Sequence, residues 1–203
     1  MYCINRDNLK KAYNNNAHIR EKNEMQDWKV KPREVFLQII KKEGKSTILD
    51  IGAGHGRDSK FFKDSNLQVT AVDLSDEMVR LCRDKGIEAY ELDFHELHRI
   101  DKSFDAVWAM NSLLHVEKNY LPQVLQGIKD KLKPSGLFFM GVYGGEDKEG
   151  IWEEDFYSPQ RFFSFYTDDS IKRIVSEFFV LVSFERIETG SKYYFQSIVL
   201  RKE

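Results

Sequence analysis

The 203-residue chain is poor in cysteine, with two thiols, Cys3 in a polar N-terminal stretch and Cys82 in an expected helix. Thiols so few and so placed make neither a disulfide framework nor a metal site. Cys82 reads as a small core residue. No apolar run approaches the roughly 18 residues that a membrane helix needs. The segment Met1–Lys11 is polar and has no secretory apolar stretch, so a cytoplasmic location is expected. The chain also lacks a dominant charge: its net charge is −2, which excludes a strongly basic nucleic-acid binder. No arrangement of a nucleophilic catalytic triad is evident.

Aromatic and apolar residues are abundant. Hydrophobic residues make up 41% of the chain, with 15 Phe, 9 Tyr and 3 Trp, enough for a sizeable core in one α/β domain. The small net charge hides an asymmetry. Residues 1–45 hold 11 Lys/Arg against 6 Asp/Glu, and the remainder 20 against 27. A basic head of this kind suits either a phosphate-bearing partner or ordinary solvated helix faces.

After residue 45, strand-like and helix-like segments alternate, the pattern of an α/β fold with a mostly parallel sheet. Strands are expected at Thr47–Ile51, Gln68–Val72, Ile87–Leu92, Phe104–Met110 and Leu137–Tyr143. Helices are expected at Arg57–Asp64, after the N-cap Ser75 as far as Gly86, through Leu121–Leu132, and from Thr167 or Asp168 onward. Two closing strands, Val180–Ile187 and Tyr193–Leu200, are joined by Thr189-Gly190-Ser191. That turn is too short for a parallel crossover, so they are antiparallel neighbours. Ahead of the first strand two helices are expected, Arg6–Glu24 and Pro32–Lys42. The stretch Gly144–Phe165 reads as one long irregular loop, a length at which loops are often functional.

The chemistry concentrates at Asp50-Ile51-Gly52-Ala53-Gly54-His55-Gly56-Arg57, after one strand and before a helix. Glycines there remove Cβ atoms where the chain turns sharply, and the exposed N–H groups are ready donors to a ligand. Asp73, at the end of the next strand and 21 residues beyond Gly52, can accept from both hydroxyls of a ribose. A nicotinamide dehydrogenase would place its third glycine at position 57. Arginine stands there, and the third glycine is at 56.

The segments ILDIGAGHGR, AVDLS, ELDF, FDAVWAMNSLLHV and LKPSGLFFMGV resemble the successive motifs of class I S-adenosylmethionine-dependent methyltransferases. The resemblance covers nearly half of the chain, from Ile48 to Gly136. It implies a three-layer αβα Rossmann-like methyltransferase fold with a seven-stranded, mostly parallel sheet and an antiparallel last strand. It also implies S-adenosyl-L-methionine as cofactor and S-adenosyl-L-homocysteine as product. Asp50, Gly52, Ala53, Gly54 and Gly56 would line the methionine and ribose pocket. Asp73 would hold the ribose, Leu74 and Met78 would lie beside the adenine, Asp93 would meet its amino group and Phe94 would flank its ring. Ala109 and Met110 would complete the pocket. Residues 1–45 would form a helical lid in which Tyr13 and Arg20 reach the methionine carboxylate. Residues 46–143 would be the cofactor core, 144–166 the substrate-side loop, and 167–203 the closing helix and hairpin.

Methyl transfer is an in-line displacement that asks the protein for alignment and desolvation. His115 and Asn111, at the carboxyl end of the fourth strand, are the candidate catalytic residues, His115 as a base. Tyr143, Arg161, Phe162 and Tyr166 are the candidate acceptor contacts. The run Glu146–Asp155 holds six acids and one lysine, which with its neighbouring aromatics suits an amine or a flat neutral molecule. Met110-Asn111-Ser112-Leu113 is not the Asn/Asp-Pro-Pro-aromatic turn of base-amino methyltransferases, and neither cysteine is placed for cytosine C5 chemistry. A small-molecule acceptor is therefore expected, in a monomer or homodimer without a membrane partner. A tRNA-modifying methyltransferase, a non-catalytic cofactor-binding regulator and a nicotinamide oxidoreductase are the competing readings.

Overall fold

A computed structural model describes residues 2–203, with side chains from Asn5 onward; Met1 and the Cys3 thiol lie outside it. Helices α1 (Tyr2–Lys22) and α2 (Val30–Lys42), linked by a short 3-10 turn at Asp27–Lys29, precede the sheet. Then follow β1 (Thr47–Ile51), α3 (Arg57–Asp64), β2 (Gln68–Asp73), α4 (Asp76–Asp84), β3 (Glu88–Glu91), β4 (Phe104–Met110), α5 (Leu121–Lys131) and β5 (Leu132–Gly144). The chain closes with β6 (Lys148–Ile151), β7 (Phe162–Phe165), α6 (Asp168–Ser176), β8 (Val180–Ile187) and β9 (Tyr194–Arg201). Among these residues no helix is long and apolar enough to cross a membrane.

Seven strands form one sheet in the order β3-β2-β1-β4-β5-β9-β8. All run parallel except β9, which lies antiparallel between β5 and β8. From β1 the chain winds first toward β3 and then, from β4, toward the other edge. The connections therefore diverge at the β1/β4 boundary and leave a crevice at the carboxyl ends of these strands.

The apolar residues of β1 alternate between two cores, as a strand covered on both faces requires. Leu49 and Ile51 join the cluster containing Val124, Leu125 and Ile128 of α5. Ile48 joins Phe36 and Ile40 of α2. In that second core Trp108 stacks on Phe139 with ring centroids 4.0 Å apart, and Phe36 and Phe62 close around them.

Caps set the boundaries of the helices. The Ser75 hydroxyl accepts from the Met78 N–H and starts α4; Thr167 accepts from Ser170 and starts α6. The sharper departures from the sequence-based expectation are three. Helix α1 begins at Tyr2, so Cys3 is on a helix rather than in a tail. That polar helix is held by few apolar residues: Ala17 packs on Met78 and Leu81 of α4. Strand β5 starts at Leu132, beside Phe104, and reaches its main register after an irregularity.

Third, the stretch expected to be an irregular loop contains an antiparallel ladder, with Lys148 opposite Phe165 and Ile151 opposite Phe162. Its acids conceal the strand, because each is occupied locally. Glu146 pairs with Lys148, Asp147 with Lys118, and Glu149 accepts from Ser164 Oγ at 3.2 Å. Trp152, Phe163 and Phe165 supply its apolar side, and Phe165 stacks on Tyr193 at 4.3 Å.

Phe36 is fully buried and joins α2 to the sheet. Phe36→Ala is expected to lower the unfolding free energy by about 3–5 kcal/mol, measured by chemical denaturation.

Candidate functional site

The β1–α3 turn has no room for a side chain at its first glycine. Gly52 has φ +70°, and a Cβ there would stand 2.3 Å from Ser112 Cβ, just past the end of β4. The Gly52 and Ala53 N–H groups both donate to the Val72 carbonyl, which ties the turn to β2. At Gly54 (φ +56°) the space is open, and its N–H donates to Asp73 Oδ2 at 2.8 Å. Asp73 Oδ1 accepts from the Ser75 N–H at 2.9 Å. Both oxygens keep lone pairs free on the side that opens into the crevice.

Behind the turn, Asp50 is buried at the end of β1 and accepts from Ser59 Oγ at 2.6 Å. Burial, and then the negative charge of Asp58, push its carboxyl up to about 8, so it is largely protonated near neutrality. Asp58 itself is held between Arg33 at 3.0 Å and the Trp108 indole N–H at 3.1 Å.

These groups line a cleft of about 960 Å³, open solvent at its mouth included. The cleft brings together Tyr13, Arg20, Asp50, Gly52, Ala53, Gly54, Asp73, Leu74, Phe94, Met110, Asn111 and His115 from among the residues expected at a site. A smaller cavity adjoins it, sharing Leu74, Phe94 and His115 and adding Asp93. Asp93 there accepts from the His95 N–H at 2.9 Å and pairs with Arg6 at 3.0 Å.

Three residues expected at the cofactor pocket line neither the cleft nor the adjoining cavity. A Cβ on Gly56 would press on Cys82 Sγ at 2.9 Å, so this glycine serves the packing of α3 on α4. Met78 is fully buried beside Ala17 and Leu81. Ala109 points to the opposite face of the sheet from Met110, into the core with Leu49.

A second, wider cavity meets the first along a shared wall that includes Tyr13, Arg20, Asn111 and His115. Tyr143 and Arg161, two of the candidate acceptor contacts, line it. Phe162 and Tyr166 do not. Phe162 faces the smaller cavity, and Tyr166 is fully buried beneath the Lys118 ammonium. The acids of Glu146–Asp155 are also absent from this wall. Those in the ladder are occupied as described, and Asp155 holds Arg161 at 2.8 Å. The wider cavity is lined by Arg20, Lys29, Arg57 and Arg161 with aromatic and polar residues and one acid, Glu24, whereas Glu149, Glu153 and Glu154 line a separate cavity with Trp152, Phe165 and Tyr193.

The junction of the two cavities is built by three elements far apart in sequence. His115 Nδ1 lies 2.7 Å from the Phe162 carbonyl, which can only accept, so the proton sits on Nδ1. His115 Nε2 then accepts from the Tyr13 hydroxyl at 2.7 Å, and Arg161 Nη1 donates to the same oxygen at 3.1 Å. Both ring nitrogens are thus engaged. Burial and the Arg161 charge push the His115 pKa down to about 3, so the ring is neutral. Beside it Asn111 has φ +54°, an uncommon backbone for a side chain larger than glycine and one that occurs at functional sites.

Sequence reasoning missed Met25, Lys29, Asp58, Trp108 and Ser112 as cleft residues. Lys29 falls between the two expected N-terminal helices and Trp108 within an expected buried strand, and neither carries a motif of its own. The chain path alone turns them toward the crevice.

Residues 48–136 match the family model of the methyltransferase domain. The ubiquinone biosynthesis O-methyltransferase of Xanthomonas oryzae is 31% identical over 102 residues, 47% of this chain and 42% of that protein. The cypemycin N-terminal methyltransferase of a Streptomyces species is 34% identical over 100 residues, covering 46% and 40% respectively. The chain thus spans less than half the length of the curated relatives it matches. Among solved structures, a 1,6-didemethyltoxoflavin-N1-methyltransferase from Burkholderia thailandensis aligns with a TM-score of 0.76 at 20% identity, over 97% of this chain and 86% of that one. The magnesium protoporphyrin IX methyltransferase of Synechocystis PCC 6803 aligns with a TM-score of 0.73 at 11% identity, over 98% and 97%. At such identities these two likenesses concern the fold.

The turn geometry makes a paired prediction. Gly52→Ala should destabilise the protein by at least about 2 kcal/mol, from positive φ and overpacking together. Gly54→Ala, with open space around it, should cost less; melting temperatures compare the two.

A second expectation concerns acid stability. The His115 pKa is lowered on folding from an ordinary value of 6.5 to about 3. Its contribution to stability is therefore present above pH 6.5 and is lost as the pH falls toward 3, by up to about 1.4 kcal/mol per pH unit. Denaturation curves of His115→Gln should show a shallower acid slope than wild type in that window.

Proposed function

We propose that this chain, a member of the class I S-adenosylmethionine-dependent methyltransferase superfamily, transfers a methyl group from S-adenosylmethionine to a small-molecule acceptor. One observation carries the reading: the cleft behind the glycine turn and a second cavity meet at Tyr13, Asn111 and His115. A donor in one and an acceptor in the other would face each other across that junction.

The chemistry of the first cleft fits the cofactor. Asp73 offers lone pairs beside the Gly54 N–H for ribose hydroxyls. Leu74 and Phe94, shared with the smaller cavity, would flank the adenine, with Asp93 beyond them. At the other end Arg20 would hold the methionine carboxylate, and Asp50 would face its ammonium group. Arg20 Nε, Asn111 Oδ1 and Ser112 Oγ are buried in the cleft residues without a hydrogen-bond partner. Buried polar groups are ordinarily satisfied, so a polar ligand with donors and acceptors suits them.

When bound, the cofactor supplies an activated methyl group on a sulfonium. The residues of this chain supply position and dryness. Tyr13 and Met110 would wall the junction, and Asn111 would orient the acceptor. His115 acts chiefly by holding: its neutral ring pins Tyr13 to the Phe162 backbone, so helix α1 and strand β7 close on the site together. An acceptor that must lose a proton would pass it to solvent or to Tyr13 in concert with His115.

In this reading the chain works as one unit. Residues 1–45 close over the cleft, 46–143 carry the cofactor, 144–166 face the acceptor and 167–203 complete the sheet. Several cations of the basic head are occupied by the core. Arg6 pairs with Asp93, Lys10 with Glu91 and Arg33 with Asp58. That leaves less for a nucleic-acid backbone and supports a small acceptor.

Titration calorimetry with S-adenosylhomocysteine is the test, and an absence of binding at millimolar ligand would reject the proposal. Asp73→Ala should weaken binding by about tenfold or more, in line with the loss of charged hydrogen bonds worth about 1.5–3 kcal/mol. Binding at pH 7 should release protons, because a cation set against Asp50 lowers a pKa that stands at about 8 in the free protein. Calorimetry in buffers of different ionisation enthalpy reads that release.

A further inference from the structure

The wall between the two cavities carries more positive charge than its own acids neutralise. Arg20, Lys29 and Arg57 line both cavities. Among the described residues none of the three forms an ion pair. Among the described residues the Lys29 ammonium makes no hydrogen bond, and it lies over the Trp28 ring at 5.0 Å. Arg20 donates to the Tyr157 hydroxyl at 2.9 Å, and Arg57 to the Asn23 carbonyl. Of the nearby carboxylates, Asp58 is paired with Arg33 and Asp155 with Arg161, and Asp73, across the first cleft, is held on the Gly54 and Ser75 N–H groups. Glu24 is the one acid on the wider cavity's wall, and it is exposed at the surface.

The strain of this arrangement falls on Lys29. Burial, and then the charge of Arg20, lower its pKa to about 8 in spite of the opposing charge of Asp58, which Arg33 already holds. A cation kept half-buried without a partner is costly, and an anion beside it would remove the cost. The cofactor does not provide enough. Its single carboxylate is accompanied by an ammonium and a sulfonium, so it adds net positive charge to the site. The balancing charge falls to the second ligand. The wider cavity is also lined by the aromatic residues Tyr143, Trp152, Phe156, Tyr157 and Phe163, a composition that suits an aromatic body.

We infer that the methyl acceptor is an aromatic carboxylate, its ring held among Trp152, Tyr157 and Phe163 and its carboxylate seated on Lys29 beside Arg20. This rests on the methyltransferase reading of the same site. It is the opposite of an amine acceptor. Lys29 is then a specificity-determining residue: it selects an anion and has no share in the methyl transfer itself.

The experiment uses the full chain saturated with S-adenosylhomocysteine. The probes are 4-hydroxybenzoate, 3,4-dihydroxybenzoate and 3-hydroxy-2-naphthoate, each paired with its neutral carboxamide, with binding measured by calorimetry. At least one carboxylate is expected to bind about tenfold or more tightly than its amide, the scale of one charge-assisted contact. Lys29→Met should bring each pair within about twofold, and Lys29→Arg should keep the preference. Melting temperature with and without S-adenosylhomocysteine verifies that each variant is folded and loaded. Amides binding as well as carboxylates would overturn the inference. So would wild-type protein that binds S-adenosylhomocysteine but none of the carboxylates, or a preference that survives in Lys29→Met. If S-adenosylhomocysteine itself does not bind, the methyltransferase reading fails first, and the two failures are told apart.

Discussion

Gly52 and Ser112 approach so closely that no Cβ fits between the β1–α3 turn and the end of β4. That contact brings the chain segments after two adjacent central strands together at the mouth of the crevice. It directs Gly54 toward the Asp73 carboxylate and leaves the open space a ligand needs. The parallel pairing of β1 with β4 sets their carboxyl ends side by side, and beyond the contact the two connections leave the sheet in opposite directions. Positive φ at Gly52 lets the turn be made without the strain a side chain would impose.

Around this fixed point the site is assembled from parts with little stability of their own. Helix α1 is polar and leans on α4 through a few small and apolar side chains. Its other attachments are polar: Asn14 to Asp76 and Ser75, Arg20 to Tyr157, and Tyr13 to His115. Hydrogen bonds of this kind contribute modestly one at a time. The Tyr13–His115–Phe162 chain joins that helix to the β6/β7 ladder.

Electrostatics divides the crevice. The turn side carries carboxyls: Asp50 raised by burial, Asp58 held between Arg33 and Trp108, and Asp73 held on two backbone N–H groups. The lid and ladder side carries Arg20, Lys29 and Arg161. A ligand with a cationic and an anionic end has one orientation across such a field. The low polarity of the surroundings makes that preference stronger than it would be in water.

The sequence by itself determined the β/α alternation, the antiparallel return of the last strand, the glycine turn and the acid of β2. Each of these rests on a local signal: hydrophobic period, cap, glycine at a required backbone angle, or an acid at a strand end. The misplaced residues lacked such signals. Ala109 and Met110 are adjacent in a strand buried on both faces, so composition did not tell which faced the crevice. Met78 and Gly56 stand at helix positions whose packing partners come from α1 and α4. Strand β6 is only four residues long and too short to show an alternation, and its one acid, Glu149, is held by the Ser164 hydroxyl and the Lys118 N–H. Tertiary structure alone decided that Arg20 and Lys29, from the N-terminal part of the chain, converge with the distant Arg161, while the acids of Glu146–Asp155 lie off that wall. Charge along a chain is additive, but the field in a cleft depends on which side chains face one another, and only the path of the backbone sets that.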